Sequence, residues 1–196
     1  LTDTTSTRNG LLVGVVTDLD DPDRLGRVKV NFPELGNASS DWASLVTLMA
    51  GQKRGSVFRP EVGDEVIVGF LQGDMRAPYV LGGVWNKPDP PPDDDGNPTQ
   101  NNWRFIRSRS GHVIRFDDTK GAEKVELIDK DGKRRVVLDS ANKKVTVTAD
   151  EGDVEVSAPN GDVSLTGRTI EVHATDTLSL TAGGGLTISG RTVDIN

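Results

Sequence analysis

Cysteine is absent from the 196 residues, which excludes a disulfide framework, a thiolate nucleophile and a thiolate metal site. Aromatic residues are few: five Phe, three Trp and one Tyr, too few for a thick core. A chain so poor in large side chains stays small or buries its apolar residues against other chains. No apolar run approaches the roughly 20 residues of a membrane-spanning helix, and no basic, apolar leader opens the chain. Only two histidines occur, His112 and His173, far apart in sequence. Basic residues are nearly missing from the last quarter. Residues 145–196 hold eight acidic side chains against Arg168 and Arg191, residues 1–101 hold 15 against 9, and only residues 102–144 are basic, 12 against 7. The net charge of −7 opposes a nucleic-acid partner, which needs basic groups facing phosphate.

What is present is short strands and turns, with no amphipathic helix. Leu12-Val13-Gly14-Val15-Val16, Arg27-Val28-Lys29-Val30-Asn31-Phe32, Ala43-Ser44-Leu45-Val46-Thr47-Leu48, Glu65-Val66-Ile67-Val68-Gly69-Phe70 and Tyr79-Val80-Leu81-Gly82-Gly83-Val84-Trp85 read as five strands. Five strands in under ninety residues suit a small closed barrel of the OB type. A stretch rich in proline and acid then intervenes, including Pro90-Pro91-Pro92-Asp93-Asp94-Asp95, and reads as a stiff extended linker. The expected divisions are a barrel over 1–87, a linker over 88–101, a collar of wider strands over 102–144 and a narrow repeat over 145–196.

The repeat decides the architecture of the second half. Pairs of aliphatic residues separated by one polar residue recur: Val145 and Val147, Val154 and Val156, Val163 and Leu165, Ile170 and Val172, Leu178 and Leu180, Leu186 and Ile188, Val193 and Ile195. Their starts are spaced 9, 9, 7, 8, 8 and 7 residues, with Gly, Asp, Asn and Thr between. Each step supplies one short strand with two side chains pointing inward and one bend. Such a step cannot enclose a core in its own chain, whereas three chains wound about a common axis can. Burying those fourteen side chains is worth roughly 1.5–3 kcal/mol each as an upper estimate, which makes the homotrimer obligate. Strands stacked about 4.8 Å apart give a shaft of roughly 34 Å for seven steps. The expected fold is therefore all-β: a five-stranded OB-fold barrel followed by an intertwined trimeric triple-stranded β-helix.

Three motifs carry a family resemblance. Gly26-Arg27-Val28-Lys29-Val30-Asn31-Phe32-Pro33, Arg59-Pro60-Glu61-Val62-Gly63-Asp64-Glu65-Val66 and Pro78-Tyr79-Val80-Leu81-Gly82-Gly83-Val84-Trp85-Asn86 resemble the OB domain of the central spike proteins of contractile injection systems. That family includes phage baseplate assembly protein V and the VgrG spikes. Residues 107–118 resemble the start of its β-helical shaft. The resemblance implies a structural trimeric spike without enzyme activity, placed in the assembled baseplate of a phage tail or injection particle. It would be made in the bacterial cytoplasm, joined to hub and tube proteins, and driven through the target envelope with transient membrane contact. It also implies a PAAR-repeat tip protein on the blunt end, here Val193, Ile195 and Asn196. The hub domain of VgrG, the lysozyme domain of some phage spikes and their His-x-His metal apex find no counterpart in these residues.

Other candidates read as structural. His173 follows inward Val172 and so points to solvent, and His112 sits in a turn after Gly111. Asp93-Asp94-Asp95 lacks the spacing of a calcium loop, and Asp20, Asp21 and Asp23 around Pro22 read as a solvated turn. Gly183-Gly184-Gly185 lacks the Lys and helix of a phosphate loop. No catalytic set, cofactor site or metal site is expected. The alternative, a trimeric β-helical tailspike enzyme acting on envelope polysaccharide, needs paired carboxylates and aromatic-lined grooves. After Trp103 only Phe105 and Phe116 remain as aromatics.

Overall fold

The computed structural model describes residues 10–94 and 99–194. It divides into two compact units, 1–107 and 108–196. Among the described residues there is no α-helix, only strands and two single 3-10 turns at Pro33–Leu35 and Leu71–Gly73.

In the first unit, strands β1 (Leu12–Asp18), β2 (Lys29–Phe32), β3 (Ala38–Ser39), β4 (Ser44–Leu45), β7 (Glu65–Phe70) and β8 (Pro78–Gly83) make one curled sheet. A small hairpin, β5 (Ala50–Gly51) with β6 (Arg54–Gly55), projects between β4 and β7 in the chain. The sheet order is β3-β2-β1-β7-β8-β4, all neighbours antiparallel except β4 with β8. A bridge joins the two ends of the curl: Val28 N–H donates to the Ala43 carbonyl at 3.0 Å and Ala43 N–H to the Val28 carbonyl at 2.8 Å. If β3 and β4 count as halves of one strand, the pairing runs through five strands and returns to its start, consistent with an OB domain.

The expected third strand over 43–48 is shorter than its apolar run suggested and is split from β3. Ser40 causes the split. Its hydroxyl accepts the Val30 N–H at 2.9 Å, and its own N–H donates to the Val30 carbonyl at 2.7 Å, so a side chain stands in for one rung of the ladder.

Inward positions alternate as strand geometry dictates. Leu12, Val16, Val28, Val30, Phe32, Ala43, Val66, Val68 and Val80 form the core, and Phe70 tilts against Phe32 with ring centroids 5.9 Å apart. Gly14 occupies the inward position between Leu12 and Val16. A Cβ there would lie 2.2 Å from Val30 Cγ1 and 3.0 Å from the Asn31 carbonyl. The barrel interior is thus narrow enough to require glycine at that point.

The turn before β2 is held by a buried carboxylate and is not the solvated loop expected from Asp20, Asp21 and Asp23. Asp21 is only 6 % exposed. Its oxygens accept Arg27 Nη2 at 2.6 Å, Arg27 Nε at 3.1 Å and the backbone N–H groups of Asp23, Leu25 and Arg27. The Arg27 side-chain hydrogen bond holds the Asp21 carboxyl far below the ordinary aspartate range, against the opposing effect of burial. The spacing of an acid and an arginine across a turn is visible in sequence, but nothing in it says which of three aspartates folds inward.

The first unit ends on β9 (Trp103–Arg107); in the second unit, β10 (Val113–Asp117), β11 (Lys124–Ile128), β12 (Arg134–Asp139) and β13 (Lys144–Ala149) form an antiparallel meander. An aspartate opens each turn: Asp117 accepts Thr119 N–H at 3.0 Å, Asp129 accepts Lys133 N–H at 3.1 Å, and Asp139 accepts Asn142 N–H at 2.8 Å. The first aliphatic pair of the octad repeat, Val145 and Val147, lies within β13 and pairs with β12. From residue 150 to 194 no described residue is in a strand. The intertwined β-helix expected from the repeat would form between chains, and the single chain shows no strand in this stretch.

Two outcomes check this account. Gly14→Val overpacks the barrel and lowers its stability by about 1–3 kcal/mol, read as a reduced urea midpoint. Asp21 stabilises the fold while it is ionised, because its folded pKa lies below the unfolded value of about 3.9. Its contribution is complete above that value and fades as pH falls toward the folded one. Asp21→Asn therefore lowers the urea midpoint at pH 7 and leaves a smaller difference between pH 7 and pH 2.5 than the native chain shows.

Candidate functional site

The functional candidate is a surface, and alternation builds it. In the meander, the cross-strand register puts Ile114 opposite Leu127, Phe116 opposite Val125, Leu127 opposite Val136, Leu138 opposite Val145 and Val136 opposite Val147. Residues directly opposite share a face, so these side chains make one apolar face of the sheet. It is uncovered: Phe116 is 52 % exposed and Val145 68 %.

The other face is charged. Arg115 Nε donates to Glu126 Oε2 at 2.7 Å, its Nη2 reaches the same oxygen, and Lys124 Nζ lies 3.5 Å from Glu126 Oε1 and 4.0 Å from Asp117 Oδ2. Asp117 and Glu126 are buried beneath these cations. At the turn, burial opposes the ionised form of Asp129, yet hydrogen bonds from the Arg134 backbone and guanidinium outweigh it and hold its pKa below the ordinary value. The Asn142 side chain does the same for Asp139. The usual arrangement of a lone soluble sheet is reversed in effect: its charges are satisfied within the chain and its aliphatic face is not.

The repeat extends this condition. Val154, Val156, Val163, Leu165, Ile170, Val172, Leu178, Leu180, Leu186, Ile188 and Val193 are all exposed, from 48 % at Val193 to 75 % at Val156. Among the described residues beyond Gly152, one backbone hydrogen bond forms, from Gly161 N–H to the Ala158 carbonyl at 3.2 Å. Such a stretch leaves both its apolar side chains and its backbone polar groups without partners in the chain. Ile195 and Asn196 lie outside the described residues, as does Asp95.

The remaining candidates separate cleanly. His112 Nδ1 accepts the Lys130 N–H at 3.2 Å and the His112 backbone N–H donates to Ser108 Oγ at 3.0 Å, so it ties the turn before β10 to the turn between β11 and β12. His173 is solvent-exposed, 3.7 Å from Glu171 on the same extended segment. Among the described residues no group of three or more His, Cys, Asp or Glu is placed to hold a metal ion, and no helix is long and apolar enough to cross a membrane.

Residues 12–85 match the family described as the type VI secretion system/phage-baseplate injector OB domain. The chain is 35 % identical over 116 residues to the type VI secretion system spike protein VgrG1a of Pseudomonas aeruginosa, covering 54 % of this chain and 18 % of that protein. It is 36 % identical over 114 residues to VgrG1c of the same organism, covering 53 % and 16 %. It is 32 % identical over 113 residues to VgrG3 of Vibrio cholerae, covering 54 % and 11 %. The chain thus spans less than a fifth of these relatives' own length. The curled sheet, its closing Val28–Ala43 bridge and the family match fall along the same residues: residues 12–85 have the strand pairing expected of an OB domain and match the type VI secretion system/phage-baseplate injector OB domain.

Proposed function

We propose that this chain is a non-enzymatic structural component of the central spike in a contractile phage tail or a related injection machine, and that it works as a homotrimer. The observation that carries the reading is the row of aliphatic pairs between Val145 and Val193, each exposed in the single chain and recurring about every eighth residue. Three copies wound about one axis bring each pair inward and let each unpaired backbone find a neighbouring chain. The family of the barrel supports the same setting.

In this reading the barrel is an assembly module joined to baseplate hub and tube proteins. Residues 102–144 are the collar where three chains come together, and residues 145–196, whose first aliphatic pair lies in β13, form the needle. Sheath contraction drives the needle into the target envelope, where contact with the membrane is transient. Axial force is carried by backbone hydrogen bonds between chains, and the acidic, hydroxyl-rich outer residues keep the shaft solvated. Val193, Ile195 and Asn196 form the blunt end that receives a PAAR-type tip protein.

Light scattering of the purified chain is expected to give about 63 kDa, three chains of 21.0 kDa each. A stable 21.0 kDa particle overturns the reading. Val172→Asp sets three carboxylates together on the axis and is expected to abolish the trimer. A native-like trimer from that variant shows that Val172 does not face inward. Removal of residues 191–196 is expected to leave the trimer assembled and abolish co-purification of a PAAR-repeat protein.

A further inference from the structure

The outer wall of the barrel is not uniform. Along β2 the outward positions are Lys29 and Asn31, as expected of a strand with one wet face. Just before and along β1, at Ile67 of β7 and along β8, apolar residues stand on both faces. Leu11 is 60 % exposed, and Val13 and Leu81 also stand exposed on the outside while Leu12, Val68 and Val80 fill the inside. A strand apolar on both faces is a strand covered on both faces. The wall is also flat. A Cβ on Gly69 would stand 3.4 Å from Leu11 Cδ2 and 3.8 Å from Leu81 Cδ1, so those two leucines converge over a residue with no side chain, and the space above Gly82 is open.

A second apolar feature lies in the same unit. The segment carrying the β5–β6 hairpin presents Leu48, almost fully exposed, with Met49, Val57 and Phe58 also outside. Its charge is one-sided: residues 43–59 contain Lys53, Arg54 and Arg59 and no acid. The flat wall ends on the opposite sign, where Asp64, Glu65 and Asp89 line a hollow of about 410 Å³ beside Trp85.

We infer that the hairpin segment of one copy packs on the β1/β7/β8 wall of the next, with Lys53 and Arg54 directed to the neighbour's Asp64, Glu65 and Asp89. This rests on the trimer proposed above. An odd ring closes only through head-to-tail contacts between two different patches, each copy offering one and receiving the other. One exposed apolar patch with basic residues and a different apolar patch with an acidic end are the pair such closure requires, and the complementary charge fixes the direction.

The chain has no native cysteine, so introduced thiols report without background. Leu48→Cys and Leu81→Cys replace exposed side chains and leave the core untouched. Treated with a short bismaleimide, the double variant is expected to run mostly as a covalent trimer on a denaturing gel, and each single variant as a monomer. Lys53→Glu with Arg54→Glu, added to the double variant, is expected to reduce that trimer band several-fold. Light scattering before cross-linking separates the two levels of inference. A native trimer whose double variant stays monomeric on the gel overturns the head-to-tail contact and leaves the needle standing. Cross-linked dimers from Leu81→Cys alone overturn it in favour of wall against wall. A monomer in solution removes both.

Discussion

A buried aliphatic side chain gains its stability only where something covers it, and a backbone amide withdrawn from water must meet a carbonyl. In the barrel both conditions are satisfied inside one chain. In residues 150–194 neither is. The contrast explains why the two halves look so different: the barrel has a dense interior built on Phe32 and six valines, while the repeat has no interior of its own. In the proposed trimer, the cover for the repeat comes from the other two chains.

The meander stands between these extremes. Its hairpins are local, each closed by an aspartate that accepts the N–H of a turn residue, and its charged face is satisfied by Arg115, Lys124, Asp117 and Glu126. Breaking the Arg115–Glu126 pair would strand a buried charge, so this face is costly to rearrange. The apolar face remains open. One side of the sheet is thus fixed by the chain, and the other is left open, as the proposed trimer requires.

The legible parts were those where one residue type forces one geometry. Strict alternation from Arg27 to Phe32 specified β2, whereas of the recurring aliphatic pairs only the first, Val145 and Val147, lies in a strand of the single chain. The third barrel strand was not legible because its run of apolar residues continues past the point where pairing ends, and Ser40 interrupts the ladder through a hydroxyl whose partner is ten residues away. Asp21 was misjudged because three nearby aspartates look alike until the fold brings Arg27 over one of them. The hairpin at Ala50–Gly55 was also missed, since Gly-Gln-Lys-Arg-Gly carries little alternation. The outer wall had a signal in plain view: Leu11 to Val16 has no polar residue, and an unbroken run in a small barrel points to cover on both faces.

The locality of the meander has a kinetic consequence. Hairpins with short turns form in about 1–10 μs, long before three chains can meet by diffusion. Each chain would then arrive with Val136, Leu138, Val145 and Val147 already aligned in register, and only residues beyond Ala149 left to wind. Assembly would proceed as a zipper from the collar outward, its slow step set by protein concentration, and a register error would have to arise at the first rung or not at all.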